Sequence, residues 1–506
     1  MARRRWPWLY RAKTLPESGG GGGGLLEAKL NITATSGPVP FAFTLESTQT
    51  LRAGWTQDEV FRDVTFTFEV VGLSGTYETT GKPRYTQSGG PVAGFCILTP
   101  GTYTVRVTAD DGDGNTDVAE VSVEAIDPDV YWTTGGRTTE AFSTSGDFTG
   151  APAEATQTTA SSVGTVVSNR RYLLRAGETF SSITIPMGVS NVAFEAFGSG
   201  TKPFVTSINA GESLSRSDWP HHVIIRGLRT RHIEFNTTGY EWTICQNDIE
   251  GPATADSMLS NSGALDYYLD WSSRPLSEFY HPNRIHVFEN VVDGSPASPG
   301  SPGITMHGIF CRSSIVANVI DHAEEHSLRV WMGCYLFIGH NDLGGTALSE
   351  IRHALKLHSR GSTLTYSDSI AEAGRRWTPS QPGGQASINI VIADNLGGTG
   401  PATGQYTFQL GPQNTDDATL SPPYGTVEIL KNVIVERNVF TRGSNWVQDL
   451  NIVGVNCTMR ENTTSSGSAF HCFVSWPEDY PLNGSDAAQL YMRANGCGPY
   501  FGQGVT

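Results

Sequence analysis

Charge is scarce in this 506-residue chain: Asp, Glu, Lys and Arg together make up 17%, against roughly 25% in an average globular protein. With 57 glycines alongside, that scarcity excludes a charge-driven disordered protein and argues against coiled coils and helical bundles. Long apolar runs are missing too, and none approaches the ~20 residues a helix needs to cross a membrane. A net charge of −16 leaves no general basic face for nucleic acid. The seven cysteines (Cys96, Cys245, Cys311, Cys334, Cys457, Cys472, Cys497) are scattered. None has the two-residue spacing of a zinc site, and an odd total does not suggest a disulfide framework. They read as buried free thiols acting as small hydrophobes. The opening MARRRWPWLYRAK is basic, but Pro7, Arg11 and Lys13 interrupt any apolar stretch, so no secretory signal peptide is expected.

What is present is turn-rich β sequence. Residues 1–27 form a basic tail with a tether of six glycines, Gly19 to Gly24, which reads either as a peg that docks the chain into a larger assembly or as a plain disordered tail. From 28 to 126, FRDVTFTFEV and TYTVRVT alternate apolar and polar residues between turn segments, which predicts a β-sandwich. ATSGPVPFAF (Ala34 to Phe43) and PGTYTVRVTADDGDGN (Pro100 to Asn115) resemble the opening and closing strands of a PKD domain, an Ig-like fold. The family's central Trp-Asp-Phe-Gly-Asp stretch is absent, with Phe66, Thr67 and Phe68 near its place. The resemblance implies a spacer or adhesion module without catalysis. Asp111, Asp113, Asn115 and Asp117 alternate through one loop and offer a calcium option, although Thr116 and Ser122 stand where an EF-hand needs glycine and glutamate. A solvated hairpin loop is the competing reading, and no other cofactor is expected.

A linker, 127–139, leads into residues 140–506, where a short apolar strand is repeatedly followed by asparagine: Asn247, Asn290, Asn318, Asn341, Asn395, Asn438 and Asn462. Successive gaps are 43, 28, 23, 54, 43 and 24 residues, and the short ones fall in the range of repeat architectures. An asparagine turned inward at a tight corner can bond its own backbone and its counterpart on the next coil, giving a ladder. These elements, with RRYLLRAGETF and AFGSGTKPFV, resemble the right-handed parallel β-helix of pectate-lyase-like proteins. The expected fold class is therefore all-β, a sandwich followed by a β-helix. The scaffold alone names no reaction.

A second strand family, ALDYY, GITMH, SLRVW, ALKLH and TFQLG, aligns Leu265, Ile304, Leu328, Leu355 and Phe408 inward, and then Tyr267, Met306, Val330, Leu357 and Leu410. Alternation turns the intervening residues outward. One outward column reads Asp266, Thr305, Arg329, Lys356, Gln409, and the next Tyr268, His307, Trp331, His358, Gly411. Such a face suits sugar: aromatic rings for pyranose faces, cations for carboxylates or sulfates. Insertions at about 271–284, 361–386 and 411–425 would wall a groove and bring Arg375 and Trp377 to it. A helix through TALSEIRHALKLHSRG, with Leu348, Ile351 and Leu355 at helical spacing, is one competing reading, and Arg329 and Lys356 as solvated surface charges balancing Glu324, Glu325 and Glu350 is the other.

The sharpest enzymatic expectation is β-elimination on a uronic-acid polysaccharide. Lys356, His358 or His307 would be the base and Arg329 the charge neutraliser, with Asp266, Tyr268, Trp331, Gln409, Arg375 and Trp377 binding substrate. A hydrolase would instead pair carboxyls, Asp266 with Asp270 or Asp321 with Glu324 or Glu325. The tethered tail, sandwich and β-helix together resemble phage tailspikes and head spikes, which implies a virion-surface or extracellular glycan-recognition protein. A purely binding adhesin and a purely structural spike are the alternatives. Tailspikes are commonly homotrimers, but the closing NGCGPYFGQGVT carries no motif of a trimerisation module.

Overall fold

A computed structural model describes residues 26–211, 219–235, 240–251, 259–260, 283–294, 304–323, 326–344, 353–357, 387–398, 406–410, 430–441, 448–466 and 472–475. Glycine-rich, charge-poor sequence with frequent turn residues leaves little room for helix. Among the described residues only Gln57–Asp63 and Pro128–Tyr131 are α-helical. No helix there is long and apolar enough to cross a membrane.

The N-terminal unit consists of a three-stranded and a five-stranded sheet around one apolar core, with a two-stranded pair, Leu26–Glu27 and Leu51–Arg52, beside them. Phe41, Phe43 and Leu45 on strand Phe41–Glu46 face Phe66 and Phe68 on Thr65–Val70, and Val105 and Val107 on Gly101–Asp110. The alternation in TFTFEV and TYTVRVT therefore becomes half-buried strands, as period-two patterning requires.

The rest of the described chain is a parallel β-helix with three walls. The first wall stacks strands such as Arg170–Arg175, Ser190–Phe197, His221–Arg226, Tyr240–Cys245, Ile285–Phe288, Ile388–Ala393 and Leu430–Glu436, all parallel. The second stacks Ile183–Ile185, Ile208–Ala210, Ile233–Glu234, Leu259–Ser260, His353–Leu357 and Tyr406–Leu410. Ile304–Val316, His326–Gly339 and Gln448–Arg460 run through both of these walls without a break. The third wall is a ten-stranded parallel sheet of two- and three-residue strands, from Thr179–Phe180 to Thr463–Thr464. One continuous apolar core, from Phe142 to Ile452, fills the tube, as stacked repeats demand.

All seven predicted asparagines occupy the corner between the first and third walls. Each of the first six donates its backbone N–H and side-chain amide to the side-chain oxygen of the next: Asn247 to Asn290, then Asn318, Asn341, Asn395, Asn438 and Asn462, at 2.9–3.0 Å. The residue before each is left-handed: Gln246, Glu289, Ala317, His340, Asp394, Arg437 and Glu461 have φ between 51° and 59°. No glycine fills these strained places. The ladder bonds of the following asparagine help hold the turn.

The N-terminal unit does not stand ahead of the helix as a spacer. It lies along the outer face of the first wall. Ala42, Phe61, Tyr77, Val92 and Cys96 pack on Phe288, Val316, Phe337, Val391 and Ile434 in a shared apolar layer. Beneath this layer the wall carries apolar side chains on both sides because both sides are covered, as in other buried parallel sheets. Two glycines permit the approach: a Cβ on Gly94 would stand 2.3 Å from Ser314 Cβ, and one on Gly90 2.6 Å from a Val391 methyl. Charge completes the seam. Arg84 grips Glu289 with two N–H groups, one at 2.7 Å, and both side chains are buried. Arg312 meets Glu46 at 3.1 Å.

Candidate functional site

On the second wall the alternation Leu355, Lys356, Leu357 sends the two leucines into the core and Lys356 to the opposite face. The register places Arg329 directly opposite Lys356 and Lys356 opposite Gln409. Leu328, Leu355 and Phe408 line up beside them, as do Val330, Leu357 and Leu410. Residues 353–357 are extended, so the helical alternative for ALKLH is overturned. Parallel partners on both sides outweigh the helical spacing of its leucines.

One strand departs from the expected alignment. Met306, not Ile304, faces Leu328, and His307, not Thr305, faces Arg329. A period-two pattern can slip by two residues without changing face, and Gly308 occupies the inward place opposite Val330 with no side chain. Trp331 is therefore not the neighbour of His307. It is the extra residue where the register shifts between Gly308 and Ile309. Leu259–Ser260 stands next to His307 in the register place the sequence reading gave to 264–268.

The column extends beyond the five rungs expected from ALDYY to TFQLG. It runs Thr184, Asn209, Glu234, Ser260, His307, Arg329, Lys356, Gln409 and Asn451, one residue per rung. Glu234 was missed. Its signal lay in HIEF, where Ile233 and Phe235 point inward around it. His232 stands 3.4 Å from Glu234. His326 and His353, stacked at 5.2 Å and two residues before Leu328 and Leu355, are further histidines the sequence reading passed over.

The column is not the exposed ridge that alternation suggested. Lys356 is wholly buried, His307 and Gln409 nearly so, and Arg329 half-buried. Alternation separates the two faces of a strand, but it does not say which face is wet. Burial pushes the His307 imidazole down to about 4, with the Arg329 charge acting in the same direction and Glu234 against it. At neutral pH the column thus holds a neutral imidazole beside the Arg329 guanidinium, a combination able to accept a proton and to attract a carboxylate.

The remaining expected residues fall elsewhere. Asp266, Tyr268, His358, Arg375 and Trp377 lie outside the described residues, as do Asp270, Glu324 and Glu325. Asp321 pairs in register with Asp293, and His322 Nδ1 lies 2.7 Å from Asp293 and 3.7 Å from Asp321. In the calcium loop, Asp111 accepts from Arg52 Nε at 2.8 Å and from Asn115 and the Asp113 backbone. Asp113 takes a second Arg52 N–H at 3.1 Å, and Asp117 accepts from the Ala28 backbone. These carboxylates tie the hairpin to its neighbours. Among the described residues no group of three His, Cys, Asp or Glu is placed to hold a metal ion. No protein-family model matches the chain, and no curated protein matches it.

Proposed function

We propose that this chain is a glycan-recognition protein of a virion surface or of the extracellular space, with a PKD-like unit docked on a right-handed, pectate-lyase-like helix. The observation that carries the reading is the single file of His307, Arg329 and Lys356 on successive rungs, spaced about 4.8 Å apart as neighbouring strands are. The Arg329 guanidinium suits the carboxylates of an acidic polysaccharide. A neutral imidazole beside it supports β-elimination. Lys356 or His307 takes the proton next to the uronate carboxylate, Arg329 stabilises the enolate, and the glycosidic oxygen leaves as the double bond forms.

The test is incubation of the full chain with a panel of capsular and uronate-rich polysaccharides, followed by near-ultraviolet absorbance and product sizing. Cleavage with an absorbing product is expected, and Lys356→Ala or His307→Ala should lower its rate by about a hundredfold or more, the scale of a lost general base. Absence of binding to every polysaccharide, or cleavage indifferent to both variants, overturns the proposal. The register pairing of Asp293 with Asp321 favours a hydrolase as the second reading, since adjacent rungs give roughly the spacing of a retaining carboxyl pair. New reducing ends without absorbance, lost in Asp293→Asn, would select it.

A further inference from the structure

Between the N-terminal unit and the first wall lies a slot of about 340 Å³. Its two sides differ in kind. One is mainly apolar: Pro38, Pro40 and Phe41 of the N-terminal unit with Ile126 at the end of its last strand, beside the hydroxyls of Thr33 and Ser36. The other is a file of polar side chains, Asn191, His222, Glu241 and Arg284, on four successive rungs. All four residues have left-handed backbone, φ 51° to 59°. Three steps between rungs make the file about 14 Å long.

The polar side is fixed internally. Glu241 lies 2.6 Å from His222 Nε2 and also bonds Arg284. Burial works to raise the Glu241 pKa but is outweighed by His222 and Arg284, and the group falls to about 2. Tyr131 donates its hydroxyl to Asn191 Oδ1 at 2.9 Å and closes the slot beside the linker. The result is a cleft at a domain junction, within the volume range of small-ligand sites, apolar on one side and with convergent polar groups on the other.

We propose that this slot binds a neutral saccharide of one or two rings. A pyranose has an apolar C–H face and a rim of hydroxyls, which matches an apolar side opposite planar hydrogen-bonding groups. The pairing of Glu241 with Arg284 and His222 leaves little excess of either sign to recruit a charged sugar. The slot lies on the first wall, so this inference does not rest on the polysaccharide reading of the second.

The experiment is saturation-transfer NMR on the full chain with glucose, galactose, N-acetylglucosamine and glucuronic acid at millimolar concentration. Transfer to ring protons of at least one neutral sugar is expected. Ser36→Trp, which fills the mouth from an exposed position, should abolish it. His222→Ala, also at an exposed residue, should weaken it about tenfold, the scale of one hydrogen bond. No transfer to any neutral sugar, preference for glucuronic acid, or a signal that survives both variants overturns the proposal. Binding of acidic polysaccharide by Arg329→Ala examines the second wall alone, so the two readings fail separately.

Discussion

Three buried histidines carry an acid sensitivity that their positions dictate. His340 sits between Tyr77 of the N-terminal unit and Phe337, at 6.0 and 6.4 Å, and neither ring nitrogen has a hydrogen-bond partner among the described residues. Burial pushes it to about 4, His286 to about 3 and His307 to about 4, from an ordinary 6.5. Each folded pKa lies below the unfolded value, so unfolding takes up protons. Stability is complete above about pH 6.5 and falls as pH drops toward 4. Glu241, depressed from 4.5 to about 2, adds a second loss in a lower window, between pH 4.5 and 2. Denaturant midpoints measured from pH 7 to 3 should therefore decline in two stages. His340→Phe should flatten the upper one, raising stability at pH 4 relative to the parent by up to about 3 kcal/mol. A parallel decline in both proteins would remove His340 from the account. None of this was legible in HNDL or HVFEN, because the burial of His286 and His340 comes from a segment more than two hundred residues away in the chain.

At the scale of elements, the asparagine corner was the most readable feature. A short polar side chain after an apolar strand has few other reasons to recur. Asn318 occupies the middle of the ladder: it donates to Asn341, Val287 and its own strand, and accepts from Asn290. Asn318→Ala should cost about 2–3 kcal/mol, since it strands buried donors on the neighbouring coil and leaves carbonyls unpaired. Asn462→Ala, at the half-buried end of the ladder, should cost about 1 kcal/mol. Equal costs, read from chemical denaturation, would argue against a cooperative ladder. The strand register was legible where three strands agreed, at Leu328, Leu355 and Phe408. It slipped where Gly308 supplied no apolar side chain and Ile304 offered itself instead. Glu234 escaped for a related reason: a two-residue strand is too short to show a period.

At the scale of the whole molecule, the sequence names two units but not their side-by-side arrangement. Phe288, Val316, Phe337, Val391 and Ile434 lie on the outer side of the wall, beneath the N-terminal unit, and the apolar character of their short strands does not tell that side from the core side. The seam is held at one point by Arg84 and Glu289, whose side chains are 6% and 2% exposed. Glu289 also accepts the Glu78 backbone N–H at 2.8 Å. Glu289→Ala leaves the Arg84 charge buried without its carboxylate, so the loss should be about 3–5 kcal/mol. The Arg84→Met, Glu289→Leu double variant removes both charges and should recover most of that loss, because well-packed apolar residues can replace a buried pair at little cost. Since the apolar layer joins both units, the parent should unfold in one cooperative transition, and Glu289→Ala should split it as the N-terminal unit loosens first. Two transitions already present in the parent, seen by calorimetry, would mean that the docked seam contributes little to either unit.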